Sequence, residues 1–307
     1  MTVTGTRRAW VIYALVTVVL WGVWGALAGL SSQHGFPDTL VYCVWALTMI
    51  PPAVFVLARN GWKLDVSARA ITYGLTIGLL GAGGQMLLFK ALTLGPAYFI
   101  FPIISLSPAI TIALSFVMLR ERTGKLGALG IVLALAALPL FDFSFGQGDG
   151  SISGQGGLGW FALALLIMAA WGVQAYFMKL ANDTVSAESI FFYMMVGGLV
   201  LAPVAWAWTD FSQPVNTGWD GPWMTAGIQL LNAVGALTLV YAFRYGKAIV
   251  VAPLTNAGAP LVTAVLALVF AGAVPGPLKI LGLALALVAS LLLVIEPERP
   301  AVKESRA

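Results

Sequence analysis

Along this chain the apolar residues neither alternate nor fall in helical stripes. They run in unbroken blocks, and Lys, Arg, Asp and Glu collect in the short intervals between them. The blocks lie at about 10–30, 38–58, 69–90, 97–119, 124–141, 157–179, 187–208, 221–244, 249–271 and 277–295. Each is long enough, as a helix, to approach the roughly 30 Å of a bilayer's hydrocarbon core. Only helices or closed barrels satisfy every backbone polar group there. The pattern therefore predicts ten transmembrane helices in an all-α polytopic membrane protein. The fifth and tenth blocks are the shortest and cross with little tilt. One interval differs: "DFSFGQGDGSISGQGG", from Asp142, is long and rich in Gly and Ser, as a linker between two halves would be. The organisation expected is a tail at 1–9, a five-helix unit at 10–141, a linker at 142–156, a second unit at 157–295 and a tail at 296–307.

Composition agrees. Of 307 residues, 60% are hydrophobic and 9% charged, against about 25% charged in soluble domains. The apolar run near the N-terminus outlasts the roughly 7–15 residues of a signal-peptide core, so it reads as a retained first span. The charge is one-sided. With the N-terminus inside, Arg7, Arg8, Arg59, Lys63, Arg69, Arg120, Arg122, Lys125, Lys179, Arg244, Lys247, Arg299, Lys303 and Arg306 fall on the cytoplasmic side, leaving only Lys90 and Lys279 outside. The positive-inside rule then puts both termini in the cytoplasm, in a cell inner membrane. The net charge of +4 is no nucleic-acid footprint. Cys43 and His34 are each the sole residue of their type, so neither a thiolate metal site nor a His-based triad has material to build on. No cofactor is expected.

The halves resemble each other. "LWGVWGALAG" returns as "AWGVQAYFMK" 150 residues later, and "FKALTLGPAYFIFPIISLSPAI" as "VYAFRYGKAIVVAPLTNAGAPL". Pro102 falls on Pro253, Pro108 on Pro260 with one residue of slippage, and Gly130 on Gly282. Five spans is an odd number, so the second copy enters from the opposite side and the repeat is inverted. Interrupted helices at the interface of such repeats point to a substrate site. Proline removes a backbone donor and clashes with the preceding turn. In a membrane this is tolerated where the backbone is buried in protein or lines a wet cavity. The paired prolines therefore predict breaks in the fourth and ninth helices, around a central cavity.

These residues make the chain resemble the drug/metabolite transporter superfamily, specifically its ten-helix EamA-type members. The resemblance rests on "WGVWG" and on "FKALTLGPAYFIFPIISLSPAITIALSFVMLRERTGKLGALGI", with Glu121 after the fourth helix and Gly130 opening the fifth. It covers about residues 10–295. The second half departs, with Ala273 in the place of Glu121. The resemblance implies two inverted five-helix bundles around a cavity faced by helices one, three, four, six, eight and nine, worked by alternating access on small organic solutes.

Candidate site residues follow from polarity within the spans. No acid lies in a span interior, so the usual carboxylate proton relay is missing. Glu121, between Arg120 and Arg122, reads as a solvated or locally paired charge. Lys90 closes the third span on the outer side, where it either snorkels or meets a substrate carboxylate. Ser105, Ser107, Thr255 and Asn256 stand beside Pro102, Pro108, Pro253 and Pro260 and are expected to line the cavity. Gln85, Gln174 and Asn232 are amides in apolar surroundings; the alternative for such groups is a cross-helix bond worth about 0.6 kcal/mol. Trp21, Trp24 and Trp171 lie mid-helix, away from the interfacial belts, and with Tyr98 either wall the cavity or fill the core. Gly124, Gly127 and Gly130 would let the fifth helix pack closely on a neighbour, in the same chain or across a homodimer.

The reading is a secondary carrier, lodged in the lipid bilayer, for a small-molecule solute. Amino acids or related metabolites, moved outward, come first by the resemblance; a sugar or polyol uptake carrier is the alternative. An enzyme would need a constellation of reactive groups and a channel a filter or charged ring; neither pattern is visible.

Overall fold

The structure is a computed structural model that describes residues 9–94, 100, 103–142, 159–271 and 276–295. The expected linker (beyond Asp142) and both tails lie outside the described residues, as do Tyr98, Pro102 and Ala273. Among the described residues there are helices and turns and no strand. Ten apolar helical segments succeed one another, seven of them long enough to cross a membrane and three shorter. They are the first span Ala9–Gln33, the second Asp38–Arg59, the third Ala68–Leu94, the fourth Ser107–Val117, the fifth Lys125–Asp142, the sixth Gly159–Asn182, the seventh Ala187–Ala207, the eighth Trp219–Tyr245, the ninth Ala248–Ala271 and the tenth Pro277–Ile295. Large apolar side chains such as Val132, Val200, Val269 and Leu291 point outward and are exposed, as a surface solvated by lipid requires.

Local chemistry shapes these spans. The second is two helices, Asp38–Thr48 and Ile50–Arg59, meeting at Met49. Pro51 and Pro52 open the later one, where a missing N–H has no helical acceptor to lose. The eighth opens with a π-type turn, Trp219–Trp223, that contains Pro222. In the fourth, the chain turns at Ser105–Leu106, and Pro108 stands in the first turn of the helix that follows.

The ninth span corrects the expectation of a matching break. It is one continuous helix of 24 residues with Pro253 and Pro260 inside it. Side chains supply donors to the carbonyls around the prolines. Thr255 Oγ1 donates to the Val251 and Ala252 oxygens, Asn256 Nδ2 to the Ala252 oxygen, and Thr263 Oγ1 to the Ala259 oxygen. The carbonyls the prolines leave without a helical donor are those of Ile249 and Asn256, so these bonds reinforce the neighbouring turns rather than replace the lost ones.

The packing is symmetric between halves. The third span packs on the sixth, and so the eighth on the first; the fourth on the sixth, and the ninth on the first; the third on the seventh, and the eighth on the second. The pairs fifth–tenth, fourth–ninth and second–seventh map onto themselves under the same exchange. With five spans in each half, this exchange is a pseudo-two-fold turn of one half onto an inverted other. The chain is an all-helical polytopic membrane protein of two inverted five-helix repeats.

Two joints make the symmetry atomic. Trp171 Nε1 donates to the Gly81 carbonyl at 3.2 Å, and Trp21 Nε1 to the Asn232 carbonyl at 3.3 Å. Each indole sits close against a glycine three residues further on: a Cβ added at Gly84 would come within 2.3 Å of Trp171, and one at Gly235 within 2.5 Å of Trp21. The next residue in each motif is also a glycine. A Cβ on Gly172 would meet Ile110 at 2.6 Å and one on Gly22 would meet Val262 at 2.3 Å. At these contacts Thr111 Oγ1 donates to the Gly172 carbonyl at 2.9 Å and Thr263 Oγ1 to the Gly22 carbonyl at 2.8 Å. The fifth–tenth pair behaves likewise, with Gly130 against Ala289 and Leu293, and Gly282 against Ala137 and Leu140. The close neighbour expected for Gly130 is therefore in the same chain.

Adjacent glycines give a clean test. Gly84→Ala forces Trp171 to move and is expected to cost about 1–3 kcal/mol, seen as a lower thermal midpoint in detergent. Gly83, where an added Cβ meets nothing within 4 Å, is expected to be neutral or stabilising as Ala, by up to about 1 kcal/mol. Equal midpoints for the two variants would remove the joint from this account.

Candidate functional site

The residues singled out from sequence have several fates. Trp21 and Trp171 are half-buried and form the joints just described. Trp24 Nε1 donates to Gln229 Oε1 at 3.1 Å, and Trp45 Nε1 to Asn232 Oδ1 at 2.8 Å. Asn232 thus holds two tryptophans, one through its backbone and one through its side chain. Thr255 is fully buried with its hydroxyl spent on its own helix, so it presents nothing to a cavity. Ser107 and Pro108 are buried at the start of the fourth helix, and Ser105 is half-buried in the turn before it. Asn256 is half-buried, and its Oδ1 has no partner among the described residues. Gln85 and Gln174 are half-buried amides that likewise make no hydrogen bond among the described residues. Gln174 lies over Gly81, one helical turn from Gln85. Lys90 is exposed, just beyond the apolar span Ala68–Leu88, on a helix that runs on to Leu94. Pro253 and Pro260 lie within the unbroken ninth helix.

Among the described residues the two halves differ most clearly at the end where the sixth and eighth spans meet. At the end where the cations gather, the sixth and eighth spans are tied together. Lys179 Nζ donates to the Phe243 carbonyl at 3.2 Å and Asn182 Nδ2 to that of Val240 at 3.1 Å. Arg244 Nη1 donates to the carbonyls of Asn182 and Val185 at 3.2 and 2.9 Å. The seventh and eighth join through Tyr241 and the Glu188 carboxylate, and Tyr13 stacks between Tyr241 and Tyr245. The counterpart of the sixth–eighth seam is a first–third seam at the opposite end, and the described residues hold no comparable contact there. A different seam is built at both ends. Asp65 meets Ser189 and Tyr193 at one, and Asn216 meets His34 and Gly35 at the other.

Glu121 belongs to the closed end. The expectation of a solvated or locally paired charge is corrected: its Oε2 accepts from the backbone N–H of Ile249 at 3.1 Å, in the first turn of the ninth helix. A carboxylate there satisfies a donor that has no helical acceptor and faces the positive end of the helix dipole. Lys247 Nζ closes a second tie by donating to the Arg122 carbonyl at 2.7 Å. Burial pushes the Glu121 carboxyl above its ordinary range, while the Ile249 and Ala248 amides, Lys179 and Lys247 pull it back. The signal that sequence reading passed over is the distance in sequence: Glu121 and Ile249 are 128 residues apart, and no local pattern announces the contact.

Nothing among the described residues groups three or more His, Cys, Asp or Glu in a way that would hold a metal ion. Chemically, the site offers amides, hydroxyls and indoles rather than reactive pairs. The two prolines are separable by experiment. Pro108→Ala, in a first turn, is expected to leave the thermal midpoint almost unmoved. Pro260→Ala, deep in a helix, restores a backbone bond and is expected to raise it. A large fall on Pro260→Ala would mean that the proline holds a bend the packing needs.

A family model described as the EamA-like transporter family matches residues 8–141 and again 158–295. The chain is 36% identical over 134 residues to an uncharacterized protein of Methanocaldococcus jannaschii, spanning 44% of this chain and 96% of that protein. It also resembles a solved crystal structure with a TM-score of 0.74 at 17% identity, covering 94% of this chain and 97% of that one. At that identity the likeness is one of fold.

Proposed function

Since the chain belongs to the EamA-like transporter family, a family of membrane transporters for small solutes, we propose that it is a secondary carrier that works by alternating access. The observation that supports this most is the unequal pair of seams. One end is tied between the sixth and eighth spans; among the described residues the symmetry-equivalent first and third spans make no comparable tie at the other. In an inverted repeat, exchanging the conformations of the two halves would untie the first seam and form the second. That exchange is alternating access. We place the tied end in the cytoplasm of a cell inner membrane, with both termini there, because the cations gather at it.

The solute in this reading is an amino acid or related metabolite, moved outward. We place it between the halves near the fourth–ninth contact, with Ser105 from one repeat and Asn256 from the other. Gln85 and Gln174, half-buried without partners among the described residues, favour a second reading, a neutral sugar or polyol. Lys90 separates the two. Lys90→Gln is expected to weaken transport of an amino or organic acid about tenfold and to leave a sugar unchanged, because only the acid pairs with an ammonium. The starting experiment is a thermal-shift screen of purified protein against metabolite classes, followed by counterflow in proteoliposomes with any compound that raises the midpoint. Asn256→Ala and Ser105→Ala are then expected to weaken binding by about 0.5–1.5 kcal/mol each. Full binding in both variants would move the site elsewhere. With no acid in a span interior, uptake of a solute of constant charge is expected to ignore an imposed pH gradient. Strong proton-driven accumulation would overturn that.

A further inference from the structure

Exchange of the halves conserves the fold but not the chemistry of its two ends. Under the offsets that align the repeats, each side chain of the tied end has a counterpart in the other repeat's sequence. Gly29 stands for Lys179, Ser32 for Asn182, Thr93 for Arg244, Pro96 for Lys247 and Ala273 for Glu121. Four charged groups and an amide are answered by glycine, serine, threonine, proline and alanine. The tied end is held by ammonium and guanidinium donors on backbone carbonyls and by a carboxylate on a helix start. Bonds in which one partner is ionised are roughly twice as strong as neutral ones. By sequence, no charged group stands at these positions in the other repeat.

We propose that Glu121 and Lys247, with Lys179 and Arg244, form a one-sided lock that biases the resting protein towards closure at the cation-rich end. This rests on the alternating-access reading. Glu121 and Lys247 act reciprocally across one joint, each held by backbone of the other's segment. The connection after the fourth span lends its carboxylate to the ninth helix, and the connection before the ninth lends its ammonium to the Arg122 carbonyl. Breaking either bond frees the same two segments. A carrier of this kind rests open on the side away from the cations, so outward transport of a solute begins with release of this lock.

Hydrogen–deuterium exchange of the full-length protein in lipid nanodiscs tests the lock without substrate. In Glu121→Ala, the amides at 246–252 exchange faster for a local reason, since their cap is gone. The diagnostic lies elsewhere. Opening of the cation-rich end is expected to speed exchange at 180–188 about tenfold, while residues 28–36, at the other end, become slower. Lys247→Met leaves the carboxylate in place and is expected to give the same reciprocal pattern, which keeps the test alive if Glu121→Ala does not purify as folded protein. Faster exchange confined to 246–252, or an equal rise at both ends, would reduce Glu121 to a helix cap and overturn the proposal. Because exchange reports conformation and counterflow reports transport, a failed lock and a failed carrier reading are told apart.

Discussion

Everything in this fold depends on how closely helices approach in a solvent that does not drive them together. Lipid is as apolar as leucine, so helices associate by close packing and by the few polar bonds they exchange. Here both come from one motif, a tryptophan followed by a glycine, used twice. The indole lies on a glycine of the opposite half and gives its N–H to a backbone oxygen there; the following glycine admits the neighbouring helix, whose threonine bonds its carbonyl. A larger residue at the glycines would hold the helices apart, and the threonine and tryptophan bonds would lengthen together.

Much of this was legible in the sequence for a physical reason. Membrane spans declare themselves because lipid excludes charge along a whole helix length, and the inverted repeat follows once an odd number of spans recurs. The "WGVWG" and "WGVQ" stretches stood out as paired, although the tryptophans' part in joining the halves did not. An indole between two helices and an indole lining a cavity place the same demand on the sequence. The prolines misled in the ninth span because its helix runs on through both of them. Glu121 was misread because its surroundings were judged from Arg120 and Arg122, its neighbours in sequence. Its partners come from a segment more than a hundred residues on. Pro51 and Pro52, which divide the second span, are a local signal that the run of apolar residues concealed.

The two repeats have kept their backbone arrangement and diverged in the residues that close each end. Packing residues are constrained from both sides of a contact, so the glycines, tryptophans and threonines of the joints match between halves. In the alternating-access reading, residues at the ends face water in one state and protein in the other. Glu121 illustrates the tension: burial raises the cost of its charge while the ninth helix and two lysines lower it. A closure held by opposing terms of this kind is strong enough to persist and weak enough to release.

The crossed joints also fix an order of assembly. Trp21 waits for Asn232 and Gly235, Thr111 waits for Gly172, and the first and third spans find their main neighbours among the eighth, ninth, sixth and seventh. At about 5–20 residues per second, the ribosome needs on the order of ten seconds or more to deliver those neighbours after the first five spans are in the bilayer. During that interval the early half stands with open glycine grooves and unpaired indoles. Its survival in the membrane is then a matter of timing, and a pause in synthesis near the linker would expose it longest.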